Sequence, residues 1–316
     1  MNAVAVARRG LFLAALFVGF GGPRAADACG SCRSPSGPGS AVIAPWESLG
    51  VVATATTRYA LGAYGANGRF SRFSSGGVAT EELGLGVGYR PVSPVELAVL
   101  GGVAREQVHL PRFSAKQAAL ADSQIRLRWE PLIEAPLDLP HLPKRPSVGL
   151  ALTTRLPTGT VSRSGLSSGG VGSTAASQGL GAAEFALSAD VRKTFARKVQ
   201  FAAIVEGALR TPDTTLGLPR ALGPRGAGRL LALWFASRHV TAGVSVDAAF
   251  ESDVRYEGAR ARDSGQRSVG VSSFVGWKFE SGFRGGTAIA YTPGIDGLGK
   301  NATSAVGVTV SLGFAR

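Results

Sequence analysis

The chain has 316 residues, 44 of them Gly and 17 Pro, with 45% hydrophobic and only 17% charged residues. Gly at about twice its usual share excludes a coiled coil or long helical bundle, since each costs ~1 kcal/mol in a helix interior. The absence of a three-residue Gly period excludes collagen, and low charge with positive mean hydropathy argues against disorder. The formal charge is +13, with Arg outnumbering Lys 28 to 6. These basic residues are dispersed rather than clustered with stacking aromatics, so they do not point to nucleic acid.

In chain order, Arg8 and Arg9 precede the apolar run Leu11 to Phe20, and Ala26-Asp27-Ala28 offers a small-residue cleavage site. That is the layout of a secretory signal peptide over residues 1–28. Removing it leaves 31 basic and 20 acidic residues. The twin arginine is also compatible with a folded-protein export signal. Both cysteines follow at once, in Cys29-Gly30-Ser31-Cys32, within a periplasmic segment expected over residues 29–50. In an exported chain this spacing reads as a small disulfide. Half of a metal site and lipidation of Cys29 stay open; no nearby His or Cys completes a metal set, and no cofactor is expected.

From Val51 to the end the sequence alternates apolar with small or polar residues. Leu83-Gly84-Leu85-Gly86-Val87-Gly88-Tyr89-Arg90 is the cleanest run, and Ile125-Arg126-Leu127-Arg128-Trp129-Glu130 the most telling. One face is apolar, the other carries charge, and no helical pattern exists to cover the apolar side. Twelve such segments are expected. The first six are approximately Val51–Gly62, Glu82–Arg90, Val95–Ala104, Gln124–Glu130, Val148–Leu156 and Leu180–Arg192. The others are approximately Val199–Arg210, Leu230–Ser237, Val240–Glu251, Ser268–Phe279, Phe283–Thr292 and Thr303–Phe314. Most have about the 9–11 residues that cross a bilayer when tilted.

Long and short connections alternate, except for the Pro-rich stretch Pro131 to Ser147. An open sheet edge in hydrocarbon would cost several kcal/mol per unsatisfied group, so the sheet must close. The reading is an all-β, closed antiparallel transmembrane barrel of about twelve strands over residues 51–316, with long outer loops and short periplasmic turns. That architecture places the chain in a bacterial outer membrane. Tyr59, Tyr89, Trp129, Trp277, Phe279, Tyr291 and Phe314 lie on the apolar parity, mostly near strand ends, as interfacial girdles do. The last strand, ending on Phe314 two residues before the terminus, resembles the signal by which barrels engage their assembly machinery.

One stretch goes beyond class. Arg145-Pro146-Ser147-Val148-Gly149-Leu150-Ala151-Leu152-Thr153-Thr154-Arg155-Leu156-Pro157-Thr158-Gly159 resembles the strand-plus-P-T-G segment of outer-membrane proteins grouped with the meta-pathway of phenol degradation. Gln178 to Phe185 looks like their next strand. The resemblance implies a passive transporter or channel for small, often aromatic, molecules, with no catalytic residues. Independently of it, Pro157 has no N–H to continue a sheet ladder, and Gly159 lets the chain turn into a loop.

Other motifs carry little. Gly165-Leu166-Ser167-Ser168-Gly169 lacks the strand before and helix after that a nucleophile elbow needs. His109, His141 and His239 are not followed by the Ser that a barrel phospholipase would pair with His. Gly294 to Asn301 nearly matches a P-loop, but Asn301 replaces the hydroxyl that would hold Mg²⁺.

With the apolar parity facing lipid, the opposite parity turns Arg58, Arg90, Arg126, Arg128, Arg155, Arg192, Arg210, Lys278 and Arg284 inward. It also turns in Glu96, Glu130, Glu184, Asp190, Glu206, Asp247 and Glu251. Inward placement is required because Arg or Lys facing lipid at the midplane costs ~2–4 kcal/mol. The expectation is a hydrated, mildly cationic channel in which Arg126 and Arg128 set selectivity for a small solute. Two alternatives stand beside it. One is a non-conducting structural or recognition barrel whose loop arginines (Arg255, Arg260, Arg262, Arg267) meet lipopolysaccharide phosphates; the other, more distant, is a barrel-borne lipid hydrolase.

Overall fold

A computed structural model describes residues 47–74, 76–110, 113–134, 145–159, 181–196, 198–215, 218–237 and 239–316. The expected signal segment, Cys29, Cys32, His141 and Gly165 to Gly169 lie outside the described residues.

Twelve long strands form one closed antiparallel sheet. They are β1 (Leu49–Tyr64), β2 (Gly77–Val92), β3 (Val95–Leu110), β4 (Ser123–Leu132), β5 (Ser147–Leu156) and β6 (Glu184–Phe195). The circuit continues through β7 (Val199–Arg210), β8 (Arg225–Phe235), β9 (Val240–Glu251), β10 (Gln266–Lys278), β11 (Phe283–Thr292) and β12 (Thr303–Ala315). Each strand pairs with its sequence neighbours, and β12 closes on β1 from Gly50↔Ala315 to Ala63↔Thr303. Closure leaves no edge to satisfy in lipid. Both chain ends of the barrel sit at the end that carries the tight turns 93–94 and 279–282.

The outer face is apolar and bare. Leu85, Ile125, Leu127 and Leu209 are between 41% and 68% exposed, while their sequence neighbours Gly84, Gln124, Arg128 and Ala208 are buried. An apolar belt around the whole molecule far exceeds the few hundred Å² that water-soluble monomers tolerate, so this face contacts lipid. Phe195, Trp234, Phe250 and Phe283 join the expected girdle aromatics on it, each more than half exposed.

Four elements differ from the sequence reading. β2 and β3 run past the expected outer ends, to Gly77 and Leu110. The segment Phe113–Leu120 folds as a hairpin strand against the outer half of β3, where the sequence suggests a loop. Its residues, Phe-Ser-Ala-Lys-Gln-Ala-Ala-Leu, lack the apolar contrast that a lipid face imposes on a spanning strand. β8 begins at Arg225 rather than Leu230, which adds two interior arginines.

The P-T-G motif is a staple between β4 and β5. Thr158 Oγ1 accepts from Ser123 N at 2.8 Å and donates to Ala121 O at 3.2 Å, and Gly159 N donates to Asp122 Oδ1 at 2.9 Å. Pro157, just past the ladder, directs the chain to that position. At the same end Tyr64, 1% exposed, anchors the 293–302 loop: its hydroxyl donates to Pro293 O and accepts from Ile295 N at 3.0 Å.

Candidate functional site: the barrel interior

Alternation along each strand places all sixteen charged residues expected inside the barrel opposite the exposed apolar face. The structure then sorts them into networks that parity alone does not specify. Near the tight-turn end Glu130, 2% exposed, accepts from Arg90 at 2.9 Å and from Arg192, and forms an ion pair with Arg128 at 2.8 Å. Arg90 also holds Glu96 at 2.8 Å, and Arg128 grips Asp190 with one nitrogen at 2.8 and 3.0 Å from its two oxygens. Arg192 closes the group on Asp190 at 3.1 Å. Charges this deeply buried persist because each has at least one opposite partner.

The Arg128–Asp190 bond spans β5, and Gly149 is what lets it pass. A Cβ at Gly149 would collide with Arg128 Nη2 and Asp190 Oδ1 together. Below the group, Glu134 bonds Lys193 Nζ at 2.9 Å and the Thr194 hydroxyl at 2.7 Å, tying the 133–134 exit of β4 to β6.

A second network lies toward the opposite end. Glu184, 3% exposed, meets Arg210 at 2.8 Å, Arg225 at 3.1 Å and Arg155 at 4.0 Å. Arg210 continues to Glu251 at 2.6 Å, Arg225 to Glu206, and Arg229 to Asp247 at 3.1 Å. At the tight-turn mouth Glu47 neutralises both Lys278 (3.0 Å) and Arg284 (3.2 Å).

Two expected residues stand apart. Among the described residues, neither Arg58 nor Arg126 makes a side-chain hydrogen bond or an ion pair within 4.0 Å, and both remain partly exposed inside the barrel. Arg58 lies in the field of Glu82; Arg126 lies in the fields of Arg128, Glu96, Asp190 and Glu206. The expected selectivity pair therefore divides. Arg128 is held on both sides by Glu130 and Asp190, whereas Arg126 makes no ion pair within 4.0 Å among the described residues.

The interior is also lopsided. Where β7 to β10 meet, Ala202, Leu231, Leu233 and Phe274 form a buried apolar cluster, with the Phe274 ring lying over Gly243. Along β10 to β12 and β1, apart from Phe274, Lys278, Arg284 and Arg58, many inward residues are small: Ser268, Ser272, Ala288, Ala290, Thr309 and Thr56 are all partly exposed although they face inward.

Sequence reasoning missed Glu47, Arg225, Arg229 and the apolar cluster. Arg229 follows from the parity of Leu230 once β8 is started early enough. Leu231, Leu233 and Phe235 sit in the run Leu230-Leu231-Ala232-Leu233-Trp234-Phe235, where both faces are apolar and parity is silent. His109 and His239 lie at opposite ends of the barrel wall, at the outer end of β3 and before β9, so the fold does not bring them together.

No family model matches the sequence, and no curated protein matches it either. Solved structures do. The COG4313 outer membrane channel from Pseudomonas putida F1 superposes with a TM-score of 0.68 over 85% of this chain and 96% of that one, at 11% identity. The β domain of the Bordetella autotransporter BrkA gives a TM-score of 0.50 over 85% and 100%, at 10% identity. At such identities the likeness establishes the fold: this chain is an outer-membrane-type β-barrel.

Proposed function

We propose that this protein is a passive channel for small solutes in a bacterial outer membrane. Its passage runs along the small-residue wall of β10, β11, β12 and β1, with weak anion preference supplied by Arg126 and Arg58. The observation that carries this reading is the pairing pattern inside the barrel. Among the described residues, the other interior cations that sequence parity placed there hold carboxylates within 4.0 Å, and these two do not. A guanidinium stays charged at any physiological pH and brings five donors, so it offers a solute carboxylate or phosphate a fixed partner. The likeness to the Pseudomonas putida outer membrane channel supports the same class, as does the local resemblance of Arg145 to Gly159 to the meta-pathway group.

The test is a liposome-swelling assay on the refolded protein with small uncharged and anionic solutes. Swelling in both is expected. Gly307→Trp should slow it, because a Cβ on this inward-facing glycine would stand 3.8 Å from Arg58 Cβ and carry the indole into the passage. Liposomes that do not swell with the folded wild type would leave the non-conducting barrel as the better reading.

A further inference from the structure

The channel reading leaves the outer wall at the long-loop end unexplained. There Phe250, Arg267 and Lys300 stand in one cross-strand row. Phe250 is the register partner of Arg267, and Arg267 exchanges two backbone hydrogen bonds with Lys300, at 3.0 and 2.9 Å. Directly opposed residues of an antiparallel pair carry their side chains on the same face. Phe250 is 60% exposed on the lipid-facing parity, below which Val246 and Val271 continue the apolar belt. An aromatic and two cations thus share one face where the belt ends.

The row borders a cavity of about 480 Å³, lined also by Asp253, Arg260 and Gly265. Its walls are braced. Asn301 Nδ2 donates to Gly265 O at 2.9 Å and also to Asp263 O, while Gly265 N donates to Asp253 Oδ1 at 2.7 Å. Two acids face the cations. Lys300 holds Asp263 at 3.0 Å and Arg260 holds Asp253 at 2.7 Å. Arg267 has no carboxylate within 4.0 Å among the described residues; its guanidinium donates only to Gly297 O, at 2.6 Å. Four of its five N–H groups, and two of the three on Lys300, therefore remain for a ligand.

We infer that this row binds the phosphorylated headgroup of an outer-leaflet glycolipid. The phosphate sits between Arg267 and Lys300, and an acyl chain lies over Phe250 and the valines below it. The chemistry matches on both sides of the boundary, since a phosphate takes charge-assisted hydrogen bonds from a guanidinium and a hydrocarbon chain takes an aromatic face. Neither an inorganic anion nor a neutral lipid satisfies both halves. Arg255, placed with Tyr256 on the small four-stranded loop sheet, is not part of the row.

The experiment is native mass spectrometry of the full-length, detergent-purified protein titrated with bisphosphorylated lipid A and with the same lipid dephosphorylated. Wild type should bind the phosphorylated form at least ten-fold more tightly, and Arg267→Gln/Lys300→Gln should erase that preference. Phe250→Ala should weaken both lipids alike. Equal affinity of wild type for the two lipids would overturn the inference, as would an unchanged preference in a double variant that still shows the heat-modifiable mobility of a folded barrel. Because the wild-type comparison needs no variant, a misfolding substitution leaves the result decisive. Conductance is not involved, so failure here is separate from failure of the channel reading.

Discussion

Adding one methyl group at Gly149 probes the interior ion network where it is tightest. A Cβ there would collide with Arg128 Nη2 and Asp190 Oδ1, so the pair must part or β5 must shift. Removing one partner of a buried ion pair costs ~3–5 kcal/mol. Here each partner keeps a second bond, Arg128 to Glu130 at 2.8 Å and Asp190 to Arg192 at 3.1 Å. The expected loss is therefore about 2–3 kcal/mol, roughly a 30- to 150-fold shift in the unfolding equilibrium. Gly207 is the matched control, since a Cβ on that lipid-facing position meets nothing within 4 Å. Gly207→Ala should stay within about 0.5 kcal/mol of wild type. The assay is urea unfolding of the refolded protein in lipid vesicles, followed by tryptophan fluorescence. Equal midpoints for Gly149→Ala and Gly207→Ala would refute the claim that Arg128 and Asp190 are a structural pair.

Three further expectations follow from individual contacts. Thr158→Ala removes the hydroxyl bonded to Ser123 N and Ala121 O, and should lower stability by about 1 kcal/mol in the same unfolding assay. Glu47→Gln removes the carboxylate charge that Lys278 and Arg284 face at the tight-turn mouth, so planar-bilayer recordings should show stronger anion preference, fading near 1 M salt where the Debye length is ~3 Å. In the 252–265 loop, the Gly265 amide and then the Arg260 guanidinium hold the Asp253 carboxyl below its ordinary range. A lowered folded pKa gives a contribution that is complete above the ordinary carboxylate value and is lost as pH falls through the lowered one. Protection of the Gly265 amide, measured by hydrogen exchange relative to a barrel amide, should thus persist at about pH 5 and disappear only in stronger acid.

Strand direction was legible because a period of two states which neighbour faces lipid. Leu85 against Gly86, or Leu127 against Arg128, needs no structure to orient. Pairing was not legible. Arg90 and Glu130 lie 40 residues apart and meet only through the register of β2, β3 and β4. Nothing local marks Arg128 as paired and Arg126 as lacking an ion pair among the described residues, since both are inward arginines on one strand. The difference is made by Gly149 on the next strand, which opens a path to Asp190 for one and not the other. Glu47 was hidden for another reason: it precedes the first alternating run, so no periodicity assigns it to the interior.

A barrel that conducts, with Arg126 rather than Arg128 biasing its selectivity, has a direct electrical signature: the reversal potential under a KCl gradient in a planar bilayer. Wild type should show steady ohmic steps with a reversal potential on the anion side, Arg126→Gln should move it toward cations, and Arg58→Gln should add to that shift. Folded protein that gives no conductance, or an Arg126→Gln channel with the wild-type reversal potential, would contradict it.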